Sequence, residues 1–196
     1  RGKQMIDVMN AMNFDLVAFG NHEFDITQKD LQKRLNESNF PWISSNVKLK
    51  TTEKIRLFFK EKEGRKIPLE ETFIKEFSDE DGTTIKVGFI SVCIPSNPKE
   101  FVAYGNMFVK ARASYAAIKD SVDVVFGLTH VKIANDKRIA KLIPNLPLIM
   151  GGHEHTNSYH KIGNVIITKA DANAKTAYIH RISFDKKTKK AIVTSE

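Results

Sequence analysis

The chain has 196 residues, a formal net charge of +8, 41% hydrophobic and 28% charged residues, which excludes a disordered or fibrous chain. That length can bury a sizeable core as one domain without disulfide staples, and no run approaches the roughly 20 apolar residues that cross a bilayer. The basic excess is scattered among acidic residues rather than clustered with aromatic platforms. This argues against nucleic-acid binding and leaves only a weak pull on small anions.

Residues 3–12 place Met5, Ile6, Met9 and Met12 at helical spacing. A short apolar run, residues 14–19, then reads as a buried strand. Thr27 is a candidate N-cap for a helix through about Asn36, with Leu31 and Leu35 on one face, and Phe40-Pro41-Trp42-Ile43 opens another strand. Residues 48–72 are rich in Lys and Glu without a sustained period, so they are expected to form a surface insertion or hairpin, and no core residue is assigned there. Strands over 73–77 and 85–93 flank Asp81-Gly82, a hairpin-turn pair. The single cysteine, Cys93, ends the second of these runs and reads as a small buried hydrophobe.

A helix over 111–120, a strand over 122–128, a helix over 135–143 and a strand over 146–150 follow. Strands over 165–168, 177–184 and 191–194 close the chain. Alternating helices and strands followed by strands predict an α/β fold, a layered mixed β-sheet flanked by helices, in one domain over 1–196. No repeat or linker divides it.

Three polar clusters each follow a predicted buried strand: Gly20-Asn21-His22-Glu23-Phe24-Asp25, Thr129-His130 and Gly151-Gly152-His153-Glu154-His155. Functional groups of α/β sheets collect at the carboxyl ends of strands. The paired glycines suggest a tight turn, and alternate residues of an extended segment would aim His153 and His155 at one place. Neutral imidazole is the commonest metal ligand, and paired metal ions are a recurrent device for phosphoryl transfer. Asn21 offers an amide oxygen, and Asp25 stands close enough to orient the His22 ring. Glu23 and Glu154 are expected to turn away into surface or supporting contacts. An isolated His-x-His pair is as readily an exposed loop feature, and His130 alone a satisfied polar residue beside the core; the common strand-end placement favours the metal reading. His160 and His180 lack that context. Neither Gly-x-Ser-x-Gly nor a Gly-rich Lys-Ser/Thr loop occurs, so serine-nucleophile and P-loop chemistry have no support.

In this order, Gly-Asn-His-Glu-Phe-Asp, Thr-His and Gly-Gly-His-Glu-His resemble the calcineurin-like metallophosphoesterases, in particular the 5′-nucleotidase branch. The segments preceding the first and last motifs share the likeness, which covers most of 2–46 and 84–180. The resemblance implies the layered sheet sandwich of that fold. It also implies hydrolysis of phosphomonoesters, chiefly nucleoside 5′-monophosphates, by in-line attack of a metal-bound hydroxide. Asn21, His130 and His153 would bind one divalent ion and His155 a second, with Zn, Mn, Fe or Co all suited to such ligands. His22 would be the catalytic histidine and Asp25 its partner. The expected partner is a small phosphorylated substrate, not a nucleic acid, and the location the periplasm, cell surface or cell exterior; oligomeric state is open.

The family's Asp-x-His and Gly-Asp motifs occur nowhere in these residues. The chain therefore reads as a catalytic domain incomplete at its N-terminal side and, by itself, inactive. Without a bridging carboxylate, two cations held by mostly neutral ligands would repel each other. The alternative is a non-catalytic remnant or a metal- or phosphate-binding module that retains the scaffold.

Overall fold

The computed structural model describes all residues from Arg1 to Glu196. Helix α1 (Lys3–Ala11) leads to strand β1 (Val17–Ala18), a 3-10 turn (Asn21–Asp25), α2 (Gln28–Glu37) and β2 (Trp42–Ile43). Strands β3 (Val47–Lys50), β4 (Ile55–Arg56), β5 (Phe59–Lys62) and β6 (Arg65–Pro68) come next, then β7 (Thr72–Ser78), β8 (Thr84–Cys93) and β9 (Val102–Tyr104). Helix α3 (Met107–Ile118), β10 (Val124–His130), α4 (Ile133–Leu142) and β11 (Leu148–Gly151) alternate. Strands β12 (Ser158–Ile162), β13 (Val165–Lys169), β14 (His180–Asp185) and β15 (Lys190–Ser195) complete the chain.

A six-stranded sheet in the order β12-β13-β11-β10-β8-β7 forms the centre. Its inner strands β13, β11, β10 and β8 are parallel, and the edges β12 and β7 are antiparallel. The inner strands read as continuous apolar runs because both faces are covered, and successive side chains go to opposite faces. Val125 and Ile149 join a cluster with Ile118 of α3, Ile139 of α4 and Ile143 just after it. Their neighbours Val124, Phe126 and Leu148 pack on the other face, against Phe184 and Val193 of the β14–β15 hairpin. The predicted mixed sheet with flanking helices is therefore observed.

A second core joins the first part of the chain. Ile6, Phe19, Phe24, Leu31, Leu35 and Trp42 pack with Phe58, Leu69 and Cys93. Phe19 makes three ring contacts, with centroids 5.1 Å from Trp42 and 5.3 Å from both Phe24 and Phe58. This cluster carries the short β1–β2 parallel pair and anchors the 3-10 turn through buried Phe24. Thr27 caps α2 as expected, its hydroxyl accepting from Asp30 N–H at 3.1 Å.

Several expectations are corrected. Residues 48–72 do contain a hairpin, β5–β6, but Leu49, Phe58, Phe59 and Leu69 are buried, so the segment is part of the core rather than only an excursion. Charged neighbours mask these scattered apolar positions from any periodic reading. On α1 only Ile6 is buried; Met5 and Met12 face outward. The strand predicted over 14–19 shrinks to Val17–Ala18. Helix α3 begins earlier than predicted, at Met107, because the Asn106 side chain accepts from the N–H groups of Phe108 and Val109. Strand β10 continues through Thr129 and His130 instead of breaking before them, β14 starts at His180 rather than Ala177, and β9 and β12 were not anticipated.

Candidate functional site

The carboxyl ends of β1, β10 and β11 bring the three polar clusters to one place. Asn21 opens the 3-10 turn after β1 and is buried, His130 is the last residue of β10, and His153 follows β11, which pairs in parallel with β10. Asn21 Oδ1 accepts from His130 Nε2 at 2.9 Å. The His153 ring stands edge-on to His130 with centroids 5.3 Å apart. Burial, reinforced by His153 and Lys169, pushes His130 down to about 4, and burial also lowers His153. Both imidazoles are thus neutral near pH 7, the form that donates a lone pair to a metal.

His22, the next residue of the turn, points outward, its side chain 64% exposed. Its Nδ1 lies 2.6 Å from Asp25 Oδ2, so one ring nitrogen is held and the other is left for a ligand. The second Asp25 oxygen accepts from Asn97 Nδ2 at 2.6 Å, and the same amide reaches the Asn21 carbonyl at 3.4 Å. Glu23 folds back beneath the turn, its Oε2 accepting from Gly20 N–H at 2.6 Å; burial raises its pKa and that bond works against the rise.

The loop after β11 corrects the expectation of an extended His-x-His segment. His153 has φ 92° and His155 φ 60°, both in the left-handed region, while Gly151 and Gly152 have no positive φ. The glycines provide room rather than a turn. A Cβ on Gly152 would lie 3.0 Å from His130 Nδ1, and one on Gly20 would lie 3.0 Å from the same ring. At Gly151 it would meet Lys169 Cε at 2.9 Å. His155 is exposed, and its charge is felt by His130 and His153, but its side chain makes no hydrogen bond.

Beneath these loops sits a polar cluster not anticipated from the sequence. Lys169, 1% exposed at the end of β13, donates to the carbonyls of Val131 and Gly152 and to Glu154, the Gly152 contact being 2.7 Å. Those three bonds use all its ammonium protons. Asp136 Oδ2 at 2.8 Å is therefore an ion-pair contact without a hydrogen bond, whereas Asp136 Oδ1 accepts from Thr129 Oγ1 at 2.7 Å. Burial pushes Asp136 up to about 6, with Lys169 pulling the other way. For Glu154 burial is outweighed by Lys169 and by the Ile133 N–H, which hold its carboxyl below the usual range. Asn97, Lys169 and Asp136 are the residues that motif reading missed. The strand-end rule points to two of them, since Asn97 lies in the loop after β8 and Lys169 ends β13.

As a donor set, Asn21 Oδ1 and the His130 and His153 imidazoles suit one borderline divalent ion in part. No group of three or more His, Cys, Asp or Glu side chains converges to hold a metal. Of the candidate ligands only His155 is left over for a second ion, so the residues present fit one ion better than two.

No family model matches the chain. It is similar to the trifunctional nucleotide phosphoesterase YfkN of Bacillus subtilis, 28% identical over 77% of this chain and 12% of that protein. Human 5′-nucleotidase is 28% identical over 81% of the chain and 27% of its own length. Among solved structures, the calcineurin-like phosphoesterase YfkN superposes with TM-score 0.73 at 20% identity, over 98% of this chain and 66% of that one. A 5′-nucleotidase precursor from Thermus thermophilus gives TM-score 0.73 at 22% identity, over 100% of this chain and 41% of that one. The chain thus spans about a quarter or less of the length of these two sequence relatives.

Proposed function

From a chain with the calcineurin-like phosphoesterase fold, whose sequence relatives are 5′-nucleotidases and YfkN, we propose a metal-dependent hydrolase of phosphomonoesters, with nucleoside 5′-monophosphates as the substrate class. Residues 1–196 form part of its catalytic domain. The observation that carries this reading is the outward-facing His22, held by Asp25, in the same turn as Asn21, which meets His130.

Asn21, His130 and His153 would hold one divalent ion and His155 would contribute to a second, with Zn, Mn, Fe or Co compatible with these donors. Such ions polarise a phosphoryl oxygen and offset the charge that builds on it. The remaining work belongs to the chain. With Nδ1 engaged by Asp25, His22 presents Nε2 to the substrate, where it can donate to a phosphoryl oxygen or protonate the departing nucleoside oxygen. Asp25 holds the ring in the orientation that this role requires, and Asn97 fixes the carboxylate from its far side. An action in the periplasm, at the cell surface or outside the cell belongs to the same proposal, venom 5′-nucleotidases being among the relatives. No helix is long and apolar enough to cross a membrane.

The neutral donor set of Asn21, His130 and His153 is also compatible with one second reading, a metal- or phosphate-binding module without turnover. Hydrolysis of AMP and of a chromogenic phosphomonoester by the protein that carries this chain, with Mn²⁺ or Zn²⁺ added, separates the two. Turnover that disappears in His22→Ala supports the hydrolase; metal uptake without turnover of either substrate leaves the binding module.

A further inference from the structure

Lysine is almost never fully buried unless paired. Lys169 is buried, and each of the three hydrogen-bond acceptors of its ammonium adjoins a candidate ligand in sequence. Val131 directly follows His130, Gly152 directly precedes His153, and Glu154 lies between His153 and His155. The fourth partner, Asp136 on α4, reaches back through Thr129, the residue before His130. Glu154 also accepts from the N–H of Ile133, the first residue of α4, closing a ring of contacts around both loops. In the sheet Lys169 stands directly opposite Gly151, whose missing side chain leaves the path along which the lysine stem passes.

We propose that Lys169 is a positioning residue for the metal site, fixing the separation of the His130 loop from the His153 loop so that both imidazoles converge with Asn21; this rests on the metal-dependent reading above. One compact cation with its three protons directed at both loops replaces the separate backbone bonds that would otherwise have to tie them. Beyond the β10–β11 ladder, which ends with Thr129 opposite Gly151, one backbone bond joins the same loops, Gly152 N–H to Thr129 O at 2.9 Å. Lys169 and Glu154 add the side-chain ties past that point. The lysine touches no ligand side chain and no substrate; it acts by holding the residues adjacent to the ligands.

The test compares the protein with Lys169→Met alone and with Lys169→Met combined with Asp136→Asn, which keeps the packed volume while removing the buried carboxylate charge left by the single change. Thermal unfolding reports folding, calorimetric titration with Mn²⁺ reports affinity, and amide hydrogen exchange of the metal-free proteins reports the loops. The double variant is expected to stay folded and to lose roughly 10–100-fold in Mn²⁺ affinity, the usual consequence of removing a support behind metal ligands. Exchange should quicken at residues 130–133 and 152–155 while β8 and the centre of β10 stay protected. In the AMP assay kcat should fall with KM little changed. A folded double variant that binds Mn²⁺ as tightly as the unaltered protein, or whose two loops exchange no faster, overturns the positioning role while leaving the metal-dependent reading in place. Failure of the unaltered protein to take up Mn²⁺ overturns both. If the double variant does not fold, Lys169→Arg decides. An unchanged Mn²⁺ affinity with that bulkier, forked head would show that the fit of the compact ammonium is not what sets the ligands, and a loss of affinity in a folded Lys169→Arg protein would support the role.

Discussion

His22 is 64% exposed and takes its orienting contact from Asp25, three residues along the same turn. His130, at the end of β10, is half-buried and is shaped by Asn21, Gly20, Gly152 and His153, residues drawn from distant parts of the chain. The first corner is short-range and open to solvent; the second is long-range and packed. Groups that must meet a changing substrate tolerate exposure, whereas groups that must keep a fixed spacing are set by neighbours that cannot move independently. Substitutions at the two corners should accordingly separate turnover from stability.

The largest separation is expected at the open corner. His22→Ala should reduce turnover of AMP by roughly 10²–10⁴-fold, the usual contribution of a proton-transferring side chain, while leaving the thermal midpoint near its original value because the ring buries little. Steady-state rates beside a thermal melt check both halves, and a variant that turns over normally would remove His22 from the chemistry. At the packed corner Lys169→Met should show the converse emphasis. It leaves Asp136 buried without its cation, a change that costs about 3–5 kcal/mol of stability. Urea unfolding measures this directly, and a loss under about 1 kcal/mol would mean that Asp136 is not held as an ion.

A smaller effect should come from Gly152→Ala, whose new methyl would lie 3.0 Å from His130 Nδ1. Relieving that contact should cost about 1–3 kcal/mol, as overpacking usually does, and should weaken metal binding by shifting the ring. Unchanged stability and Mn²⁺ affinity would show that the loop yields and that space for His130 is not why glycine stands there.

The same contrast explains what could be read from the sequence. The central sheet was legible because β8, β10, β11 and β13 are apolar runs bounded by turn residues, and two covered faces leave that imprint on composition. The His22–Asp25 contact was anticipated because it spans three positions of one turn. By contrast, only its place at the end of β13 marks Lys169 in the sequence. Its burial depends on Asp136 and Glu154, which only the parallel register of β11 and β13 brings under one roof. The glycines of the last motif read as a turn, and yet the left-handed residues are the histidines, while Gly151 and Gly152 leave room for Lys169 and His130. Phe58 and Leu69 were missed for a related reason: each supplies one buried contact from a charged segment, with no period to announce it.

The finest test of the open corner is Asn97, which completes the line from Asn97 through Asp25 to His22. Its amide contributes one hydrogen bond to a half-exposed carboxylate, so losing it should slow turnover roughly twofold to tenfold, the kinetic equivalent of about 0.5–1.5 kcal/mol. Alanine is a poor probe, because Asn97 has φ 54° and asparagine tolerates that left-handed conformation better than alanine does. Asn97→Gly removes the amide without the backbone penalty. Asn97→Asp keeps the shape but sets a second carboxylate against Asp25. If Asn97 acts by steadying Asp25, kcat should fall modestly in Asn97→Gly and further in Asn97→Asp, with thermal stability of Asn97→Gly close to the original. Equal kcat in all three proteins would mean that Asp25 orients His22 unaided, and the open corner would then depend on the contacts of its own turn alone.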